Sequence, residues 1–151
     1  MPMSLEAKML LLASGDAALQ SFLGVYPVKF RWFDRRLVPG YIGKGTCVVV
    51  RRVSTLSSYV QEGPLALEMV RMQLDAIDFS AETARAAARA IQSWFLKVDF
   101  MSDVQFQSPP GTPTQWPNFQ LNQRSSIEKP ETGDVYYVES QDWRVFNNSL
   151  V

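Results

Sequence analysis

The spacing of hydrophobic residues changes once between residues 67 and 98, and this change predicts the centre of the fold. From Glu68 to Asp78 apolar and polar side chains alternate, which is the period of a strand with one buried face. From Ala81 the apolar residues recur every three or four positions, as in an amphipathic helix. The predicted buried positions are Val70, Met72, Leu74 and Ala76 in the strand and Ala84, Ala87, Ala88, Ile91, Phe95 and Val98 in the helix. A helix that directly follows a strand must fold back onto the sheet, so this pair is expected to form the core.

Capping residues locate the ends of the helical segments. Ser80 precedes the helix just described, where its hydroxyl can accept from the free N–H groups of the first turn. The segment Ser4–Leu23 has a second helical pattern, with Ser4 as its cap. A fresh cap at Asp16 and a stop at Gly24 favour two short helices over one kinked helix.

The rest of the chain predicts strands separated by long loops. Strands are expected at Val28–Asp34 (or an extended arm), Thr46–Val53, Phe119–Arg124 and Asp134–Phe146, with a short extended piece within Asp99–Gln107. Loops or turns are expected at Pro39–Gly40, residues 54–66, Ser108–Pro113 and Glu128–Gly133. The order of elements predicts an α+β fold, a single domain over residues 1–151, with an antiparallel or mixed sheet and helices packed on one face.

The composition argues against most catalytic mechanisms. Hydrophobic residues at 46% and charged residues at 20% are typical of a globular protein, and the chain has no histidine. Histidine is the commonest general base and metal ligand, so we expect no catalytic residues, no cofactor and no metal site. Cys47 lies in an apolar run and is predicted to be buried. Asp75 and Asp78 are expected to face opposite sides of their strand, which favours structural roles over a catalytic carboxylate pair.

The absence of a long apolar stretch predicts a chain that is soluble, assembled in the cytoplasm and without a membrane partner. The formal net charge is zero, yet the charges are segregated. Residues 25–52 contain seven basic residues and one acid, a net charge of +6, whereas residues 128–142 contain five acids and one lysine, a net charge of −4. Such segments can pair within one fold or between copies of one chain.

The basic segment is also rich in aromatic residues, and this composition has two interpretations. It is typical of the hot spots of protein interfaces and equally of a platform for single-stranded nucleic acid. Zero net charge and the acidic C-terminal third favour the protein interface. The candidate interface residues are Arg31, Trp32, Arg35, Arg36, Tyr41, Arg51, Arg52, Glu131, Asp134, Glu139 and Asp142.

The order of these features resembles a known family. An arm ending in Pro-Gly is followed by the strand Met-Val-Arg-Met-Gln-Leu-Asp-Ala at residues 69–76. The helix Ser-Ala-Glu-Thr-Ala-Arg-Ala-Ala-Ala-Arg-Ala-Ile then begins at Ser80, and the last strand ends Gln-Asp-Trp-Arg-Val-Phe at residues 141–146. This pattern is similar to the tail-terminator, or tail-completion, proteins of long-tailed bacteriophages and gene-transfer particles. The segment 102–118 is longer than in a minimal member of that family.

The resemblance implies a structural protein of the virion rather than an enzyme. Members of the family form a hexameric ring that caps the tail tube, stops tube polymerisation and forms part of the head–tail junction. The implied partners are further copies of the chain, the major tail-tube protein, the head-completion or connector protein and the tape-measure protein, with DNA passing through the lumen without specific binding. Two alternatives stay open: another neck or head-completion adaptor, and a single-stranded nucleic-acid-binding module that uses the segment 29–52.

Overall fold

The computed structural model describes residues 3–24, 30–35, 45–60, 63–109, 111–113, 116–131 and 133–151. These residues form three helices, which are α1 (Leu5–Ser14), α2 (Ala17–Leu23) and α3 (Ala81–Phe95). They also form five strands, which are β1 (Trp32–Asp34), β2 (Cys47–Val60), β3 (Gly63–Asp78), β4 (Phe119–Glu128) and β5 (Tyr136–Asn148). The α+β class predicted from the sequence is confirmed.

The five strands form one mixed sheet in the order β1-β2-β3-β5-β4. β1 runs parallel to β2, and the other neighbouring pairs are antiparallel. β3 occupies the centre, where Leu74 lies opposite Val50 on β2 and Gln141 on β5. The strand on which the sequence pattern is clearest is therefore the middle of the sheet.

All three helices contribute to a core on one face of this sheet, as predicted. The alternating residues of β3 and the apolar stripe of α3 are buried together with side chains of α1 and α2. Phe95 of α3 stacks on Trp143 of β5 at a ring-centroid distance of 4.4 Å, and Trp94 is 1% exposed. Aromatic contacts of this kind add to the stability gained from area burial. The opposite face of the sheet, which we call the open face, carries a smaller apolar cluster centred on Val49, Ile77 and Val138.

Side-chain caps start all three helices where the sequence predicted them. In each case the side chain of the cap accepts a hydrogen bond from the backbone N–H three residues later. The pairs are Ser4 with Ala7, Asp16 with Leu19 and Ser80 with Thr83. Gly24 follows α2 with a φ of 95°, a value that suits glycine. The N-terminal segment is thus two helices, because Asp16 supplies a second cap.

Two assignments made from the sequence are wrong, one of a loop and one of an extended piece. Residues 54–66 are not an exposed loop, since β2 continues to Val60 and β3 begins at Gly63. These strands are held together by main-chain hydrogen bonds, and the apolar side chains of Val53 and Leu56 are exposed. Because neither face of β2 is buried over residues 51–56, the sequence there does not alternate between apolar and polar residues. Residues 99–107 contain turns instead of an extended piece.

The side chain of Gln107 organises that turn region: its Oε1 accepts from the N–H of Asp99 at 2.8 Å, and its Nε2 donates to the carbonyls of Asp99 and Asp103. The long segment that follows is anchored at its end by Asn118, whose Nδ2 donates to the carbonyls of Phe95 and Val98. The amide groups of Gln107 and Asn118 thus replace the regular pairing that a strand would have provided.

Other element ends differ from the prediction by a few residues. β1 is confirmed only over Trp32–Asp34, and residues 25–29 and the predicted Pro39–Gly40 turn lie outside the described residues. Glu128 ends β4 instead of beginning a turn, and β5 begins two residues after Asp134. In the part of the chain that the structure describes, no helix is long and apolar enough to cross a membrane.

Candidate functional site

Three of the basic candidates of the sequence analysis, Arg35, Arg51 and Arg52, meet in a cleft beside β1, at one edge of the sheet. This basic cleft encloses about 660 Å³ and is lined by Ser4, Glu6, Asp34, Arg35, Arg51 and Arg52. It contains three arginines and two carboxylates, so it is positively charged. The residues come from the start of α1, from β1 and from β2, which the core packing of α1 against the sheet brings together.

Arg52 closes the wall of the cleft on the side of the helices. Its Nε and one terminal nitrogen donate to the two carboxylate oxygens of Glu6 at 2.7 and 3.0 Å, and its other terminal nitrogen donates to Thr55. A two-pronged guanidinium–carboxylate pair has fixed geometry. Burial by itself raises the pKa of the Glu6 carboxyl, but the hydrogen bonds and the charge of Arg52, helped by Arg35, bring that pKa below its ordinary value of 4.5.

Arg35 projects from the cleft into solvent. Among the described residues other than glycine it alone has a positive φ, 72°, and its N–H donates to the carbonyl of Val50 at 2.7 Å. A left-handed conformation costs an L-residue about 1–2 kcal/mol, and the hydrogen bond to the sheet holds it there. The side chain is 87% exposed and has a loose contact of 3.8 Å with Asp34. The backbone therefore aims this charge outward.

Two of the basic and aromatic candidates support the fold instead. Arg31 donates to the carbonyl of Thr46 at 2.9 Å and to that of Phe22 at 2.7 Å, which ties the approach to β1 to α2. Trp32 packs edge-on against Trp94 at a ring-centroid distance of 5.7 Å. Arg36 and Tyr41 lie outside the described residues.

The acidic candidates divide into an exposed and a buried pair. Glu131 and Asp134 are exposed in the connection between β4 and β5. Glu139 is 4% exposed on the helix face of β5, and the Ser125 hydroxyl, 2.8 Å from both of its oxygens, donates its one hydrogen to the carboxylate. Asp142 is 2% exposed on the open face. Within one chain, none of these four acidic residues lines the basic cleft.

Sequence reasoning missed the partners of Asp142. Arg71 donates to its Oδ2 at 3.1 Å and Arg124 at 3.3 Å, one from each neighbouring strand. A similar arrangement lies nearby, where Arg51 and Gln73 donate to Asp75 at 3.2 and 3.1 Å. The alternation of β3 placed residues 71, 73 and 75 on one face, but only the strand order shows which carboxylates they meet. These contacts give the open face a network of half-exposed arginines over buried carboxylates.

Asp78 lies on the other face, as the alternation predicted, and accepts from Thr46 at 2.7 Å and from the N–H of Ser80 at 2.8 Å. Cys47 is buried, as predicted, and burial raises the pKa of its thiol to about 11. Across the described ranges, no three histidine, cysteine, aspartate or glutamate side chains cluster as a metal site would require.

The two exposed charged regions lie at opposite edges of the sheet. Among the described residues, β1 forms one edge and borders the basic cleft, while β4 forms the other edge, ends at Glu128 and leads into the connection that carries Glu131 and Asp134. We call Glu128 and this connection, up to Asp134, the acidic turn. A chain with opposite charges at opposite edges has two different, complementary surfaces.

The chain is similar to a known protein in its structure, but its sequence matches no known family. No protein-family model matches the chain, and no curated protein matches it. A solved structure entitled "Virion of native gene transfer agent (GTA) particle" contains a similar chain, with a TM-score of 0.61 and 18% sequence identity. The alignment covers 95% of this chain and 96% of that one. The chain therefore shares its fold, over nearly its whole length, with a protein of a gene transfer agent virion.

Proposed function

We propose that this chain is a non-enzymatic structural protein of a tailed virion or gene-transfer particle, and that it caps the tail tube as a ring. The observation that carries the proposal is the match to a chain of a gene transfer agent virion over 95% of this chain and 96% of that one. A match over the full length of both chains concerns the whole architecture and not one shared motif. It agrees with the resemblance to tail-terminator proteins given by residues 69–76 and by the helix after Ser80.

The distribution of charge supports assembly into a ring. Two different surfaces on one chain make a head-to-tail contact, and repeated contacts of that type close into a ring when the rotation between neighbours allows it. Here the basic cleft, with Arg35 87% exposed, lies at the β1 edge and the acidic turn at the β4 edge. We infer that the basic cleft of one copy faces the acidic turn of the next, through Arg35, Arg36, Arg51, Glu131 and Asp134.

A ring of this kind can end polymerisation without chemistry. One face of the ring matches the last ring of the tube, and the other face presents a different surface, so no further tube subunit can add. In this proposal the chain forms a hexamer located at the head–tail junction of the virion, with the major tail-tube protein on one side and the head-completion or connector protein on the other. The tape-measure protein and the DNA would pass through its lumen.

Another neck or head-completion adaptor is a second candidate, since it too would be a small ring-forming protein. The single-stranded nucleic-acid module has less support, because Phe30 and Trp32 pack against the core and are not free to stack on bases. Binding by stacking requires exposed aromatic faces. Among the described residues of segment 29–52, the exposed groups are mainly arginines.

The test is the solution mass of the purified chain by light scattering, over a range of concentration and salt, with and without the tail-tube protein of the same particle. A hexamer, or a monomer that becomes a hexamer on tube ends and stops tube growth, is the expected result. A ring that binds the head connector but leaves tube growth unchanged would support the neck adaptor. A monomer under all conditions that binds oligonucleotides with a steep salt dependence would support the nucleic-acid module.

A further inference from the structure

The outer side of β4 is an unusually open strand edge. β4 pairs with β5 on its inner side, and within the described residues no strand lies on its outer side. Nine of its ten residues are exposed, so neither face of the strand is covered. The pairing with β5 is irregular between Gln120 and Asn122 and regular from Asn122 to Glu128. The main-chain N–H and C=O groups of alternate residues within 122–128, which point away from β5, are thus presented to solvent in strand geometry.

The usual protections of an exposed edge are weak here. Natural edges carry proline, inward charges, bulges or a covering element, because an unprotected edge pairs with other strands. From Asn122 to Glu128 the strand has no proline and no bulge, and its charges are limited to Arg124 and Glu128. Ile127 is 66% exposed between them. A strand of this length that keeps an exposed isoleucine on its edge is suited to accept another strand.

We propose that the outer edge of β4, within residues 122–128, pairs through main-chain hydrogen bonds with β1 (Trp32–Asp34) of a second copy of this chain. This inference deepens the proposed function and rests on it, since it names the contact that joins the subunits of the ring. Charge complementarity favours a second copy as the partner of β4. β4 leads into the acidic turn, and β1 borders the basic cleft at the opposite edge of the same sheet. Pairing opposite edges joins one sheet to the next in a repeating, head-to-tail manner.

The charges that favour this pairing lie beside the two strands. Arg124 of β4 already donates to Asp142 of its own chain, so it is not free for a neighbour. The β4 edge is instead followed by the exposed Glu131 and Asp134, and the β1 edge by Arg35, which is 87% exposed. Main-chain pairing supplies affinity in strand addition, and these flanking charges select the partner edge.

Hydrogen–deuterium exchange on the assembled and the monomeric chain tests the pairing directly. We expect the amides of residues 122–128 that do not already pair with β5 to exchange at least about tenfold more slowly in the assembly than in the monomer, since paired amides open less often. Amides of residues 102–107 serve as an internal control and should not change. A ring that forms while β4 exchange stays unchanged would overturn the strand pairing and leave the ring intact. Failure to assemble at all would overturn both proposals.

A matched pair of substitutions gives a second readout. Ile127→Lys places a charge on the proposed seam, and Phe106→Lys places the same charge on a loop residue that is 74% exposed. Both side chains lie outside the core, so both variants should fold. Ile127→Lys is expected to weaken assembly at least about tenfold and Phe106→Lys to leave it unchanged. Equal assembly of the two variants would contradict the proposal.

Cysteine cross-linking distinguishes pairing of opposite edges from pairing of β4 with itself. Ser126→Cys and Asp34→Cys are made as separate chains, with the buried Cys47 left in place, and treated with a short bismaleimide. We expect covalent dimers only when the two variants are mixed. Dimers of the Ser126→Cys chain alone would show β4 pairing with β4, which overturns the head-to-tail arrangement.

Discussion

Lys8 of α1 donates a hydrogen bond from Nζ to Oδ1 of Asn147 on β5 at 2.6 Å, and it is fully buried. The same ammonium donates to the carbonyl of Asn148 at 2.7 Å and to that of Phe100 at 3.3 Å. Three acceptors match the three donors of the group. Asn147 in turn donates to Glu68 on β3 at 3.1 Å. This lysine therefore fastens the first helix to the end of the sheet and to the turn after α3.

Replacing Lys8 should destabilise the fold strongly. Lys8→Met keeps the length of the side chain but leaves two buried acceptors and one partly buried acceptor without their donor, and we expect a loss of about 2–4 kcal/mol of unfolding free energy. Urea denaturation followed by circular dichroism measures it. Lys97→Met is the matched control, because Lys97 is 42% exposed in its ion pair with Asp16; it should cost under about 1 kcal/mol. Similar losses in both variants would contradict the role assigned to Lys8.

The thiol of Cys47 should react slowly in the native protein. Burial raises its pKa from 9.0 to about 11, so at pH 8 the thiolate fraction is about a hundredfold lower than for an ordinary cysteine. Labelling with Ellman's reagent should be slow in buffer and complete within minutes in about 6 M urea. Rapid labelling without denaturant would show that the start of β2 is open.

The same raised pKa predicts a loss of stability at alkaline pH. The folded chain holds the thiol proton more tightly than the unfolded chain, so the contribution of Cys47 is complete below pH 9.0 and is lost as the pH rises through about 11. The free energies of unfolding of the wild type and of Cys47→Ala, measured between pH 8 and about 10.5, isolate the contribution of this thiol. The wild type should lose its advantage over the variant as the pH rises, and a constant difference would argue against a buried neutral thiol.

The lowered pKa of Glu6 predicts a loss of stability at acidic pH. Its folded pKa lies below 4.5, so its contribution is present above pH 4.5 and is lost as the pH falls through the lower folded value. Glu6→Gln should reduce stability at pH 7 and should lose less on acidification than the wild type. Urea midpoints at pH 7 and about pH 3 measure both effects. Glu131→Gln, which alters an exposed carboxylate, should change neither.

Charge reversal tests the proposed contact between subunits. Arg35→Glu with Arg36→Glu, and separately Glu131→Lys with Asp134→Lys, should each weaken assembly at least about tenfold at low salt, with a smaller effect at about 0.5 M salt because exposed charges are screened. A mixture of the two variants should assemble again, since every contact then joins opposite charges. Arg89→Glu, on the exposed side of α3, should not affect assembly. Unchanged ring formation in either double variant would exclude these charges from the interface.

The central strand, the helix after it and the three helix caps could all be predicted from the sequence. Each depends on interactions within a few residues, such as the Ser80 hydroxyl with Thr83, or on a period that a buried face imposes. The same reasoning failed for residues 54–66. That hairpin is held by main-chain pairing and leaves Val53 and Leu56 exposed, so its side chains show no period to detect.

The candidate site shows the same division. The sequence showed where the charged segments lie along the chain. The tertiary structure decided which charges are exposed for contact with a partner, because strand pairing joins residues that are far apart in the chain. Asp142 meets Arg71, 71 positions away, and is only 2% exposed, whereas Asp134 stays exposed. Strand order likewise placed the basic cleft and the acidic turn at opposite edges. Local pattern thus determined most of the elements, and long-range pairing determined the hairpin of residues 54–66 and the surfaces that the elements present.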